Sequence, residues 1–130
     1  MSGRLVLDSN VLIDIDRGDR EAWRRLKRFV ELRGVPVVPT VALAQAWRGG
    51  ANARLGQALA LCTTVPLDEA TARRAGALCA RAGTRDVVDA AIVATASDHG
   101  GYVWSEDPDL RALTTHLPPE MDSVIVRVPD

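Results

Sequence analysis

Three distant stretches of the chain each place a carboxylate where it could do chemistry. Asp8 ends the apolar run LVL and is followed at once by Ser9, Asn10 and a second apolar run. Asp89 lies three residues after Asp86 in RDVVDAAIVATASDHGG, and Asp107 follows YVWSE with Asp109 two residues further on. Each has an ordinary alternative. Asp8 fits an N-cap for the helix beginning near Asn10, Asp107 fits the Asp-Pro helix opening, and Asp109 fits a charge placed against a helix dipole.

Asp89 is harder to explain that way. Val87, Val88, Ala90, Ala91, Ile92, Val93, Ala94 and Ala96 surround it on nearly every side of one helix. Such a helix is expected to be buried, and a lone buried carboxylate must be neutralised or paired with a cation. The alternative is a capping box in which Asp86 caps the helix and Asp89 reaches back; glutamate or glutamine is the usual partner there, and aspartate is short for it. Asp86 lies on the same general side and could extend a site.

The elements that must position these acids read as alternating strands and helices. Residues 4–7 suit a buried parallel strand. Helices are expected over 10–16 and 19–33, the second amphipathic and basic, with Arg20, Arg24, Arg25, Lys27 and Arg28 on a face more often solvated than functional. GVPVVP, 34–39, reads as a short strand fenced by prolines. Thr40 reads as the N-cap of a helix through VALAQAWR that stops at Gly49 and Gly50.

A helix fits 51–61, and TTVPL can hold a short strand before a helix capped by Asp68 and running to about Arg81. Then come the buried helix, the strand YVW, a short helix opened by Pro108, and a last strand in SVIVRV. This order predicts a three-layer α/β/α sandwich with a mainly parallel sheet. Ligands of such sheets bind outside the carboxyl ends of the strands, where the acids after the first strand and YVW would meet the acid of the buried helix. Acids collected there repel one another unless a divalent cation lies between them, and hard oxygen ligands suit Mg²⁺ or Mn²⁺. Asp8 is expected to hold that ion.

Composition limits what else is possible. The 130 residues are 47% hydrophobic and carry a net charge of -1, which suits one domain over 1–130 with one core. Nucleic acid would have to be gripped locally, since there is no overall basic field. Fifteen of the sixteen basic residues are arginine, Lys27 being the only lysine; genomic base composition is the ordinary explanation, though arginine's planar fork also suits phosphate. Two cysteines, Cys62 and Cys79, with no signal peptide or membrane-length apolar run, point to a reducing cytoplasm and buried thiols.

The segments LVLDSNVLI, VVPTVALAQAWRG and DVVDAAIVATASDHGGYVWSEDPDLRAL, with a closing apolar strand, resemble PIN-domain ribonucleases, in particular the VapC-type toxins of bacterial toxin-antitoxin pairs. The resemblance implies RNA cleavage with Mg²⁺ or Mn²⁺, a homodimer, and a cognate antitoxin whose tail blocks the active site. It assigns Asp8, Asp89 and Asp107 to the family's acidic positions, and Asn10 and Ser105 to its polar supporting positions. Gln45 departs from the pattern, because such proteins usually carry glutamate there; a carboxamide oxygen can ligate a hard cation but brings no charge and cannot act as a base. Arg48 and Arg85, close to the motifs, could contact RNA phosphates.

The departure at Gln45 leaves a second reading open, a PIN fold that no longer cuts and binds an antitoxin or nucleic acid. Two other enzyme classes share an acid after the first strand. Haloacid-dehalogenase-like phosphatases need an aspartate where this chain has Asn10, and phospho-receiver domains need a late lysine. Trp47 and neighbouring apolar side chains could form an interface patch, but core packing is the favoured role.

Overall fold

The computed structural model describes residues 3–50 and 52–130. Its elements run β1 (Gly3–Leu7), α1 (Ser9–Asp16), α2 (Arg20–Glu31), β2 (Gly34–Pro39), α3 (Thr40–Ala46), α4 (Ala53–Leu59) and β3 (Thr63–Val65). The second half continues with α5 (Glu69–Ala82), α6 (Val87–Asp98), β4 (Tyr102–Trp104), α7 (Pro108–Leu113) and β5 (Ile125–Arg127). Two 3₁₀ turns, Thr114–His116 and Pro119–Met121, lie between α7 and β5.

The five strands form one sheet in the order β3-β2-β1-β4-β5, and every pairing is parallel. The expected α/β/α sandwich is therefore present. Its central strand is β1, whose Leu5, Val6 and Leu7 are fully buried, as a parallel strand covered on both faces requires. From β1 the chain builds outward to β2 and β3, then crosses to β4 and β5 on the other side. The reversal lies between β1 and β4, and the crevice at their carboxyl ends is where this topology opens a site.

Pro36 sits inside β2, a position that usually disfavours a non-edge strand. Here β3 joins β2 only from Val37 onward, so at Pro36 one flank of the strand is open and tolerates a residue without an amide N–H.

The helix after β2 departs from expectation at both ends. Thr40 is its first helical residue and Pro39 occupies the cap position, with no side-chain cap bond. The helix stops at Ala46, short of the glycines, because Trp47 turns extended and buried Asn52 takes over the exposed backbone groups. Asn52 Oδ1 accepts from Arg48 N at 2.5 Å, and its Nδ2 donates to Ala46 O at 3.3 Å. Trp47 is 43% exposed, so the core-packing role favoured for it does not hold.

Asn52 cannot also cap α4, and Asp16 does so from the end of α1. Its Oδ1 accepts from Leu55 N at 3.1 Å and its Oδ2 from Asn52 Nδ2 at 2.8 Å. One buried amide and one carboxylate thus tie together the ends of α1, α3 and α4. The expected start of the fourth helix at residue 51 falls outside the described residues.

Removing the Asn52 side chain orphans three partners at once. Asn52→Ala is expected to cost about 1–3 kcal/mol, read as a lower urea midpoint with an unchanged slope; an unchanged midpoint would show that solvent replaces these bonds freely.

Candidate active site

The crevice between β1 and β4 is closed by backbone before any side chain enters it. Asp8 N donates to Trp104 O at 3.1 Å, which seats the first residue after β1 against the last residue of β4. Asp8 then begins α1 as its N-cap, with Oδ1 accepting from Ser9 N at 2.6 Å. Its other oxygen, Oδ2, accepts from Ser105 Oγ at 2.6 Å, and that hydroxyl accepts from Asp107 N at 2.9 Å. Ser105, 0% exposed, is therefore the physical link between Asp8 and Asp107.

Asp107 caps α7 through Oδ1 and the amide of Asp109 at 2.9 Å. Asp86 caps α6 in the same manner, accepting from Asp89 N at 3.0 Å. The ordinary capping roles of Asp8, Asp86 and Asp107 are thus all real. The capping box is not, because Asp86 N donates to Thr84 Oγ1 at 3.1 Å. That leaves the Asp89 carboxylate free of the backbone duty considered for it.

Electrostatics distinguishes the acids further. Asp8 is 1% exposed, and burial raises its pKa against the lowering effect of the Ser105 and Ser9 hydrogen bonds, with Asp107 adding a smaller upward push. Asp89, 9% exposed, is pushed up to about 7. Burial is the main cause, followed by the charge of Asp86 and a side-chain hydrogen bond to it, then by the charges of Asp8 and Asp107. Acids from β1, α6 and the β4–α7 connection therefore feel one another. None of the four forms an ion pair among the described residues.

The donor set is all hard oxygen and negatively charged, which fits a divalent cation in chemistry. It does not form a closed cage: among the described residues no three His, Cys, Asp or Glu side chains are grouped closely enough to hold an ion. The cap bonds hold the carboxylates of Asp8, Asp86 and Asp107 toward their own helices.

Asp86, Asp89 and Asp107 open onto two cavities, whereas buried Asp8 lines neither. Asp107 and exposed Asn10 line a cleft of about 580 Å³, together with Asp14, Glu106 and Arg25. Asp86, Asp89 and Asp109 line a smaller one of about 240 Å³. Gln45 is exposed on α3, and Arg48 and Arg85 are exposed beside their motifs; Arg48 Nη1 donates to Trp47 O at 2.9 Å.

Sequence reasoning passed over Asp14 and Glu106. Burial raises the pKa of Asp14, and Asp19 and Glu106 add to the rise while Arg17 opposes it. The available signal was spacing: Asp14 lies one helical turn after Asn10, and Glu106 precedes Asp107.

A family model described as the PIN domain matches residues 5–115. The chain belongs to the PIN-domain family. No curated protein matches it closely enough to count as a relative. Among solved structures it is similar to the crystal structure of VapBC2 from Rickettsia felis bound to a DNA fragment from their promoter. That match has a TM-score of 0.67 at 10% identity and covers 98% of this chain and 99% of the other, so the likeness is one of fold. In this PIN domain the strand-end crevice and the buried helix α6 bring acids from three elements into mutual electrostatic range.

The raised pKa of Asp89 sets a sign for stability. The native state binds a proton that the unfolded chain releases near 3.8, so metal-free stability should fall as pH rises from about 4 to about 7. Asp89→Asn is expected to flatten that fall and to melt no lower than wild type at pH 8 without metal, while gaining less from added Mg²⁺ or Mn²⁺. A large loss of metal-free stability in the variant would contradict the repulsion.

Proposed function

We propose that this PIN domain is a Mg²⁺- or Mn²⁺-dependent endoribonuclease, the toxin of a toxin-antitoxin pair, acting in the cytoplasm as a homodimer. The observation that carries the reading is the placement of Asp89 on buried α6, where burial first, and then the charges of Asp86, Asp8 and Asp107, push its pKa up to about 7 and no ion pair among the described residues relieves them. The family match and the fold shared with the VapBC2 structure support it. The antitoxin partner is inferred from the same likeness. No helix among the described residues is long and apolar enough to cross a membrane.

Asp8, Asp89 and Asp107 would hold the cation. When bound, it acidifies the attacking water and offsets charge on the phosphodiester. Ser105 keeps Asp8 oriented through its 2.6 Å hydrogen bond and restrains Asp107 through the backbone. Asn10 lines the cleft beside Asp107, where its amide can donate to a phosphate oxygen. Asp86 and Asp109 add negative charge around Asp89. Arg48 and Arg85 would contact RNA phosphates, Arg48 by exchanging its present carbonyl partners for them. Recognition would rest on single strands and exposed bases, as expected for RNA.

Exposed Gln45 favours a second reading, a PIN domain with weakened or lost cleavage that acts as a binding module. Mn²⁺ calorimetry beside cleavage of a mixed RNA pool separates the two. The nuclease reading expects metal binding and cutting, with Asp8→Asn, Asp89→Asn or Asp107→Asn each lowering the rate on the order of a thousandfold. No binding at millimolar metal and no cutting would leave the binding module. Gln45→Glu is expected to tighten metal binding, and unchanged affinity would show that this side chain points away from the site.

A further inference from the structure

The exposed basic face of α2 forms one side of a groove. Arg20, Arg24 and Lys27 of α2 join Arg54 and Gln57 of α4, with Trp23, in a groove of about 470 Å³ that no acidic residue lines. Arg24 is paired with Glu21 outside the groove, whereas Arg20, Lys27 and Arg54 form no ion pair among the described residues. Three uncompensated cations therefore share one concavity in a protein of net charge -1.

The groove is also pre-shaped. Trp23 is fixed by donating its Nε1 proton to Ile15 O at 2.8 Å, and Lys27 Nζ lies 5.5 Å from the centroid of its ring. Gly18, at φ +79, forms part of the wall; a Cβ there would lie 3.1 Å from Nε and Cζ of Arg54, so the guanidinium rests against bare backbone. The guanidinium that lines the groove there is a planar fork, the geometry suited to phosphate.

The N-terminal half of α2 separates this groove from the acidic cleft, which Glu21, Ala22 and Arg25 line from the same helix. A helix with its side chains is about 10–12 Å across, so the two surfaces are a short span of extended strand apart. We propose that the α2–α4 groove binds the phosphate backbone of single-stranded RNA beside the candidate active site, a reading that rests on the nuclease function proposed above. An acidic protein helix would also need apolar anchors. Apart from one tryptophan, the groove offers only charged or polar side chains and a glycine, so a polyanion of regular charge fits better.

The test is fluorescence anisotropy with a labelled oligouridylate in EDTA, where binding is read without cleavage. The variant Arg20→Gln/Lys27→Gln/Arg54→Gln is compared with wild type and with Arg28→Gln/Arg73→Gln/Arg111→Gln, which carries the same charge change on other surfaces. The groove variant is expected to bind at least about tenfold more weakly and to lose about 2 from the slope of log K against log salt, at roughly 0.7 per phosphate; the control variant should stay near wild type. If Mn²⁺ cleavage is present, the groove variant should raise KM and leave kcat unchanged. Binding without cleavage in wild type would refute the nuclease and leave the groove supported. Equal RNA binding by both variants, or displacement of the oligonucleotide by poly-L-glutamate at matched charge, would overturn the groove's assignment to RNA.

Discussion

Carboxylates brought together at a partly buried strand end repel one another unless something balances them, and the candidate site of this PIN domain is built around that constraint. Asp8 and Asp89 are buried, Asp107 is partly so, and burial together with the neighbouring acids pushes the pKa of Asp89 up to about 7. The fold carries these acids on its most rigid parts. Asp8 follows the fully buried Leu5, Val6 and Leu7 of β1, Ser105 is sealed behind β4, and Asp89 stands on α6, whose residues from Asp89 to Ala96 are buried. Side chains rooted in such elements have little freedom to swing away from one another.

Local capping and site chemistry are served here by the same atoms. A carboxylate has several lone-pair sites, so Asp8 can accept from Ser9 N with one oxygen and from Ser105 with the other and keep acceptor capacity on both. Asp86 and Asp107 each give one oxygen to the amide that begins a helix. The cap bonds hold the acids in register with the helix starts, and they also explain why three donors do not already converge on one point. Binding a cation would draw on the lone pairs that these bonds leave unused.

Much of this was legible in sequence, because alternating apolar segments with caps and glycines specify parallel strands and helices strongly. The sheet, the buried character of α6 and the caps at Asp68, Asp86 and Asp107 could all be read from local residue types. The end of α3 could not. It is set by Asn52 and Asp16, distant in sequence and joined only in the folded chain, so a pattern running to the glycines was cut short at Ala46. For the same reason Trp47 proved exposed, and Asp14 and Glu106 became visible as cleft residues only once α1 and the β4–α7 connection were side by side. The combined groove of α2 and α4 was hidden too, since periodicity reports one helix face at a time.

The central claim is that a divalent cation relieves the repulsion among Asp8, Asp89 and Asp107. The most direct measurement is anomalous scattering from crystals soaked in MnCl₂ at pH 8. A manganese peak within bonding distance of oxygens from Asp8, Asp89 and Asp107 is the predicted result. Carboxylates still turned to their own helix amides, with no peak between them at high Mn²⁺, would contradict it.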